Sequence, residues 1–319
     1  MIKMNFLQIT TASFAFVFFA SESQCAEVFN DYIVKSVMDS YKNNRGGGYD
    51  INSAFTHNIK YSNDGIIKAT RPALTMCVAG VTEVIVNAIN IYAQTHQDET
   101  VYKKIPLTAW TRGNVTSLRA NIFMFDGTGS RGTGHTLAKF GLGEEKRFRD
   151  LEPGDFINLN RKKSGHAVVF LGFLKPDLTR SKAFSSDVVG FRYFSAQGKG
   201  KPDAGFAFRN AFFGEYCPAD APNNCTDEFC PASRIVPHDC GVIRSDNRAL
   251  LNAGQMWAPN RWTYLDAVER IKLQTRSILE DENPEAERGT IDLLLDQQLN
   301  KELKWTDEQS RAFDPTETD

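Results

Sequence analysis

Leu151-Glu-Pro-Gly-Asp-Phe-Ile-Asn-Leu-Asn-Arg-Lys-Lys-Ser-Gly-His-Ala-Val-Val-Phe-Leu-Gly-Phe173 is the stretch from which the fold can be read. Pro153-Gly154 is a turn signal, and runs rich in β-branched and aromatic residues stand on either side of a polar turn. Asp155 to Leu159 and Ala167 to Phe173 therefore read as consecutive strands. Val188 to Ser195 reads as a third strand and Phe206 to Phe212 as a fourth, which predicts an antiparallel meander.

Upstream lies Ala73-Leu-Thr-Met-Cys-Val-Ala-Gly-Val-Thr-Glu-Val-Ile-Val-Asn-Ala-Ile-Asn-Ile-Tyr92. Its apolar residues go nearly all the way round, so a helix from about 76 to 94 is expected to be buried at the centre of the domain. Pro72 suits the helix entrance and Thr75 the cap. Before it, apolar residues at 28, 29, 32, 33, 37 and 41 mark another helical face, ended by Arg45-Gly-Gly-Gly48. Residues 49–72 read as irregular, and 100–140 as mixed, ending in a short helical stretch at Thr136 to Phe140. Helices first and strands after predict an α+β fold rather than a parallel wound sheet.

Past Cys240 the character changes. Trp262, Leu265, Val268, Ile271, Thr275 and Ile278 share one helical face, and Ile291, Leu294, Leu295 and Leu299 another, so residues 241–319 read as a helical extension built on a hairpin. Residues 281–319 hold 12 acidic and 4 basic groups, the composition of a solvated acidic tail. The expected organisation is a signal peptide over 1–25, a catalytic domain over 26–240 with a cysteine-rich loop at 214–240, and this extension.

The signal peptide rests on Lys3 and the short apolar run from Phe6 to Ala20, followed by small and polar residues. Cleavage patterns Ser21/Ser23 and Ser23/Cys25 both fit. No later segment reads as transmembrane, so the expectation is an exported protein, periplasmic or extracellular, with no stable membrane insertion. Cysteine usage agrees. Apart from Cys25 and Cys77 there remain Cys217, Cys225, Cys230 and Cys240, which in an oxidising compartment read as two disulfides with the pairing open. The competing reading is a zinc site with His238, which lacks a C-x-x-C knuckle. The composition is globular, and a formal net charge of −2 argues against a general nucleic-acid binder.

Chemistry concentrates on Cys77 and His166. A thiol at a helix N-terminus feels unpaired N–H groups and the positive end of the dipole, both favouring thiolate. A histidine leading a buried strand is a rigidly held base, and together the two form the working half of a cysteine hydrolase. His135 is the rival base, in the loop Gly127-Thr-Gly-Ser-Arg-Gly-Thr-Gly-His135, but a flexible loop holds a base poorly. If the third strand runs antiparallel to the second, its end brings Gln197 or Ser195 beside His166 to orient the ring, Gln197 being favoured for its amide oxygen. Gly127, Gly129 and Gly132 also spell G-x-G-x-x-G, but no βαβ unit follows to make it a dinucleotide site.

Cys77, Leu151-Glu-Pro-Gly-Asp155, Gly165-His-Ala-Val-Val-Phe-Leu-Gly172 and Tyr193-Phe-Ser-Ala-Gln197, in that order, resemble the NlpC/P60 branch of papain-like cysteine hydrolases, with the CHAP amidases close behind. The match spans about residues 70–200. The resemblance implies a nucleophile helix packed on an antiparallel sheet, no cofactor and no metal, and hydrolysis of an amide in peptidoglycan stem peptides. Cys77 would be nucleophile, His166 base, Gln197 orienter, and Asp155 a structural residue of the turn. The chain has Met76-Cys77-Val78-Ala79-Gly80 where many members carry Asp-Cys-Ser-Gly, so their choice of bond does not transfer. Rival readings are a secreted antibacterial effector with the same chemistry, a catalytically silent peptide-binding module, and acyl transfer to an acceptor other than water. A protein inhibitor or partner on the C-terminal helices would fit the effector reading.

Overall fold

Strands form where the aromatic and β-branched runs are, and most pair with a strand close by in the chain. In the computed structural model, which describes residues 29–43, 47–63, 65–160, 165–198, 204–218, 225–245, 247 and 250–305, these strands make one eight-stranded sheet. They are β1 (Gly143–Lys146), β2 (Phe156–Asn160), β3 (Gly165–Leu174), β4 (Arg180–Ser181), β5 (Gly190–Gln197), β6 (Gly205–Phe213), β7 (His238–Val242) and β8 (Leu251–Met256). The order across the sheet is β7-β6-β5-β3-β2-β8-β1, with β4 beside β3. The meander expected from the sequence is present as the antiparallel run β2-β3-β5-β6. Only β7 joins in parallel, alongside β6. The architecture is mixed α+β, with Cys217 bonded to Cys240 and Cys225 to Cys230.

The helices are α1 (Asn30–Asn43), α2 (Cys77–His96), α3 (Thr133–Lys139), α4 (Tyr264–Glu282) and α5 (Arg288–Asn300), with shorter turns of helix between α2 and α3. α2 has the length and apolar composition of a membrane span, yet most of it is buried inside the protein. It packs against α1 and against Ala167, Val169, Leu171, Phe194 and Ala196 of the sheet. Gly80 makes that approach possible, because a Cβ there would stand 2.5 Å from the Phe206 ring and 3.5 Å from Ala196. Thr75 does not cap α2. Met76 is the extended residue before the helix and no side chain caps it, while the buried Thr75 hydroxyl has no partner. The reason is local pairing: Leu74–Thr75 is a short strand alongside Gly48–Tyr49, which turns Thr75 away from the helix axis.

The opposite face of the sheet buries a second core, with Ile157, Leu159, Val168, Phe170, Phe191, Tyr193 and Phe213. Phe148, in the turn after β1, stacks edge-on with Phe173, Phe191 and Phe213, the last with ring centroids 5.8 Å apart. Phe148 follows the edge strand β1 and packs on β3, β5 and β6, so this face of the sheet is covered as the first is. Strands buried on both sides read as nearly continuous apolar runs, as β3 does.

Two expectations are corrected. Residues 241–319 are not a separate extension, because β8 inserts between β2 and β1 and finishes the sheet. Its alternation is too short to stand out, and Gly254 weakens the strand signal while allowing α3 to lie on it. A Cβ at Gly134 would stand 2.6 Å from the Ala253 carbonyl oxygen, and one at Gly254 would stand 2.5 Å from the Gly134 Cα. The helical hairpin itself forms as α4 and α5, but Leu265 and Ile278, placed on its apolar face by the periodicity, are more than half exposed. Tyr264 and Ala267 dock the hairpin instead, with the Tyr264 hydroxyl donating to the Thr116 carbonyl at 2.7 Å. The expected signal segment 1–25 and the end of the tail past residue 305 lie outside the described residues.

Candidate active site

The Pro-Gly-Asp turn sets the start of the site. Asp155 is fully buried and closes the turn by accepting from the Glu152 N–H at 2.8 Å. It also accepts from Lys146 Nζ at 2.9 Å and Asn30 Nδ2 at 2.7 Å, joining α1, β1 and the turn. This is the structural role expected for it. The turn delivers β2 and then β3 in register, with Leu159 opposite His166 and Asn158 opposite Ala167.

Cys77 is the first residue of α2, fully buried and a free thiol. It lies against the backbone N–H of Ala167 and the Tyr49 hydroxyl. These groups and the N–H groups of Cys77 and Val78 favour thiolate, as the helix terminus predicts, but burial outweighs them all. The thiol is pushed up to about 11, which leaves a thiolate fraction on the order of 10⁻⁴ at pH 7.

His166 lies one residue from Ala167, yet its ring is on the other face of the sheet. Successive strand residues point to opposite faces. Ala167, Val169 and Leu171 point to α2, so His166 shares its face with Leu159, Val168 and Tyr193. Its ring stands edge-on to Tyr193 with centroids 6.0 Å apart. The expected direct pairing of Cys77 with His166 is therefore not made in this conformation. The pleat explains it: an apolar run gives no alternation from which to read which face a residue takes, and a one-residue difference reverses the answer.

The partner of the His166 ring also differs from the one expected. His166 Nε2 is hydrogen-bonded to Ser195 Oγ at 3.0 Å. Ser195 donates to Gln197 Oε1 at 3.1 Å, so Gln197 stands behind Ser195 rather than on the ring. The network continues beyond what the sequence suggested. Tyr193 donates to Gln197 Oε1 at 3.1 Å and to Asp239, and Gln197 Nε2 lies 3.4 Å from Asp239 Oδ2. Burial and the Asp239 carboxylate hold the Tyr193 hydroxyl well above its ordinary value, so it remains a donor. Nothing in the sequence near Asp239 pointed to this, because β7 reaches the network only through its parallel pairing with β6.

Between these groups the pairing of β3 with β5 stops. The ladder of β3 with β5 runs from Val169 and Phe194 to Leu174 and Gly190, so residues 166–168 and 195–197 lie beyond its end and leave a gap in the pairing. The thiol meets Ala167 on one side of this gap, and the His166–Ser195 pair crosses it on the other.

His135 is not in a loop. Thr133–Lys139 is helical, and the sheet holds its start: Thr133 N–H donates to Asn158 Oδ1 at 2.8 Å and His135 N–H to Asn252 Oδ1 at 3.0 Å. Two asparagines distant in sequence thus supply the caps, which is why a glycine-rich segment folds as helix. Its ring takes an N–H from Arg131 at 3.3 Å, and burial, then Arg131, lower its pKa. Its anchor on β8 is two strands from β3, about 10 Å across the sheet, on the same face as Cys77.

No family model, curated protein or solved structure matches this chain.

Proposed function

We propose that the protein is an exported cysteine hydrolase with a papain-like core of the NlpC/P60 type, cleaving an amide bond in peptidoglycan peptides. The observation that carries the reading is the shared gap between β3 and β5. Cys77 meets it from the helix N-terminus, and His166, tied at Nε2 to Ser195, meets it from the opposite face. Ser195 holds the ring at Nε2, the kind of orienting contact that the base of a catalytic triad takes from its third residue. The end of β3 that carries His166 is paired with β2 and lies beyond the ladder with β5, so it is the part of the strand with least pairing to lose in the backbone rearrangement that would bring the ring to the face of Cys77. The working arrangement is then Cys77 attacking the carbonyl, His166 taking and returning the proton, and Ser195, backed by Gln197, orienting the ring. Tyr49 and the first-turn N–H groups stand beside the thiol, where an oxyanion would develop. The two disulfides agree with an oxidising compartment, and the peptidoglycan substrate follows from the motif order alone.

A catalytically silent module of the same fold is favoured by one specific observation: the resting thiol is buried, unactivated and across the sheet from the imidazole. Mass spectrometry of peptidoglycan fragments after incubation with the protein and with Cys77→Ala separates the two. Amide-cleaved fragments that vanish in the variant establish the hydrolase and identify the bond. Folded proteins that both leave the polymer intact support the silent module.

A further inference from the structure

β7 carries three potential metal ligands or their neighbours in sequence: His238, Asp239 and Cys240. Asp239 turns into the Tyr193 and Gln197 network, whereas His238 and Cys240 face Cys217. One ligand atom from each of Cys217, His238 and Cys240 lies within 4.8 Å of the other two. The histidine is already set for coordination. His238 Nε2 stands 3.2 Å from the Pro218 carbonyl oxygen, while Nδ1 is buried and has no hydrogen-bond partner. A ligating histidine donates its other ring N–H to a carbonyl in this way, which fixes the tautomer and leaves a lone pair on the coordinating nitrogen.

The second cysteine pair shows what such a site is not. Cys225 and Cys230 enclose Asp227, but that carboxylate is taken up by Arg180 at 3.0 Å, Arg192 at 3.2 Å and the Phe229 N–H at 2.9 Å. No histidine joins that group among the described residues.

We propose that Cys217, Cys240 and His238 form a thiol-controlled Zn²⁺ site, closed while the disulfide is intact and opened by a dithiol reductant. The reductant transfers two electrons and two protons to the Cys217–Cys240 bond and leaves as a disulfide. Zn²⁺ then displaces the proton from each thiol and binds two sulfurs and His238 Nδ1, with water in the fourth position. Zn–S of about 2.3 Å and Zn–N of about 2.0 Å put tetrahedral ligand atoms roughly 3.5 Å apart, within the 4.8 Å over which one ligand atom from each of the three residues is already gathered. The site is independent of hydrolysis by Cys77, which takes no part in it.

Co²⁺ titration of the reduced full chain under argon tests the site, with far-UV circular dichroism to follow folding. The expected result is about one Co²⁺ per chain, with the intense thiolate charge-transfer band and the tetrahedral visible bands, displaced by Zn²⁺. His238→Ala, which leaves both cysteines in place, should weaken binding by more than the roughly ten- to hundredfold that loss of an outer partner costs. Cys225→Ser with Cys230→Ser should leave the spectrum unchanged, and unreduced protein should show none. The proposal is overturned if the reduced chain gives no tetrahedral Co²⁺ spectrum. It is equally overturned if His238→Ala binds as tightly, if the Cys225/Cys230 variant alone abolishes binding, or if the reduced chain unfolds and Zn²⁺ does not restore it.

Discussion

At the scale of single residues, the contest at Cys77 is between dipole and burial, and burial wins. With the thiol raised to about 11, alkylation of resting protein by iodoacetamide should rise about tenfold per pH unit from pH 6 to 9. A rate that is instead high and flat across that range would mean His166 already shares a face with the thiol. Under the proposed function His166 is the base and Ser195 its direct partner, so Ser195→Ala should lower kcat by roughly tenfold, about 1.4 kcal/mol. Gln197→Ala, which touches the ring only through Ser195, should cost less; the reverse order in steady-state kinetics would restore Gln197 as the orienter. His57 supplies a third test. Fully buried Glu83 receives the Thr56 N–H at 2.8 Å and the Thr56 hydroxyl at 2.6 Å, and beside it His57 stands 3.5 Å away. The hydrogen bond to Glu83 raises the His57 pKa, with burial opposing. Its stabilisation is therefore complete below the ordinary histidine value of about 6.5 and lost as pH rises through the raised one. Thermal melts between pH 5.5 and 8.5 should show a decline of Tm that Glu83→Gln flattens.

At the scale of elements, two helices lie on the sheet through glycines, and the nature of the neighbour sets the cost of filling each. Gly80 of α2 faces a phenylalanine ring that can yield, and the better helix propensity of alanine offsets part of the clash. Gly134 of α3 faces the backbone of β8, which cannot yield. Gly80→Ala should then destabilise by about 1 kcal/mol and Gly134→Ala by about 3 kcal/mol or more, read from urea midpoints. Equal losses would mean that the two helix–sheet contacts are equally soft. α3 also shows how an element can form against its own sequence: glycines at 132 and 134 discourage helix, but Asn158 and Asn252 of the sheet satisfy the N–H groups of Thr133 and His135.

At the scale of the whole molecule, the C-terminal quarter is stitched into the fold rather than appended. β8 lies between β2 and β1, and the Leu303 N–H donates to the Gly113 carbonyl at 2.7 Å, bringing the chain back across the core. A chain ended at Cys240 exposes an edge of β2 and leaves β1 without a partner. It should show no cooperative thermal transition by circular dichroism; a cooperative melt near that of the full chain would make 241–319 a true appendage.

Residue order alone determined the buried helix that begins at Cys77, the four-strand antiparallel run, the turn held by Asp155 and the presence of two disulfides. These depend on local periodicity, turn chemistry and redox compartment, all of which act within a few residues or on composition. Only the tertiary structure decided the disulfide pairing, the place of β8, the relay through Ser195 to Asp239 and the face on which His166 sits. Each of those turns on which distant segments lie side by side. In a sheet buried on both faces the sequence carries no alternation from which the sidedness of a single histidine can be read.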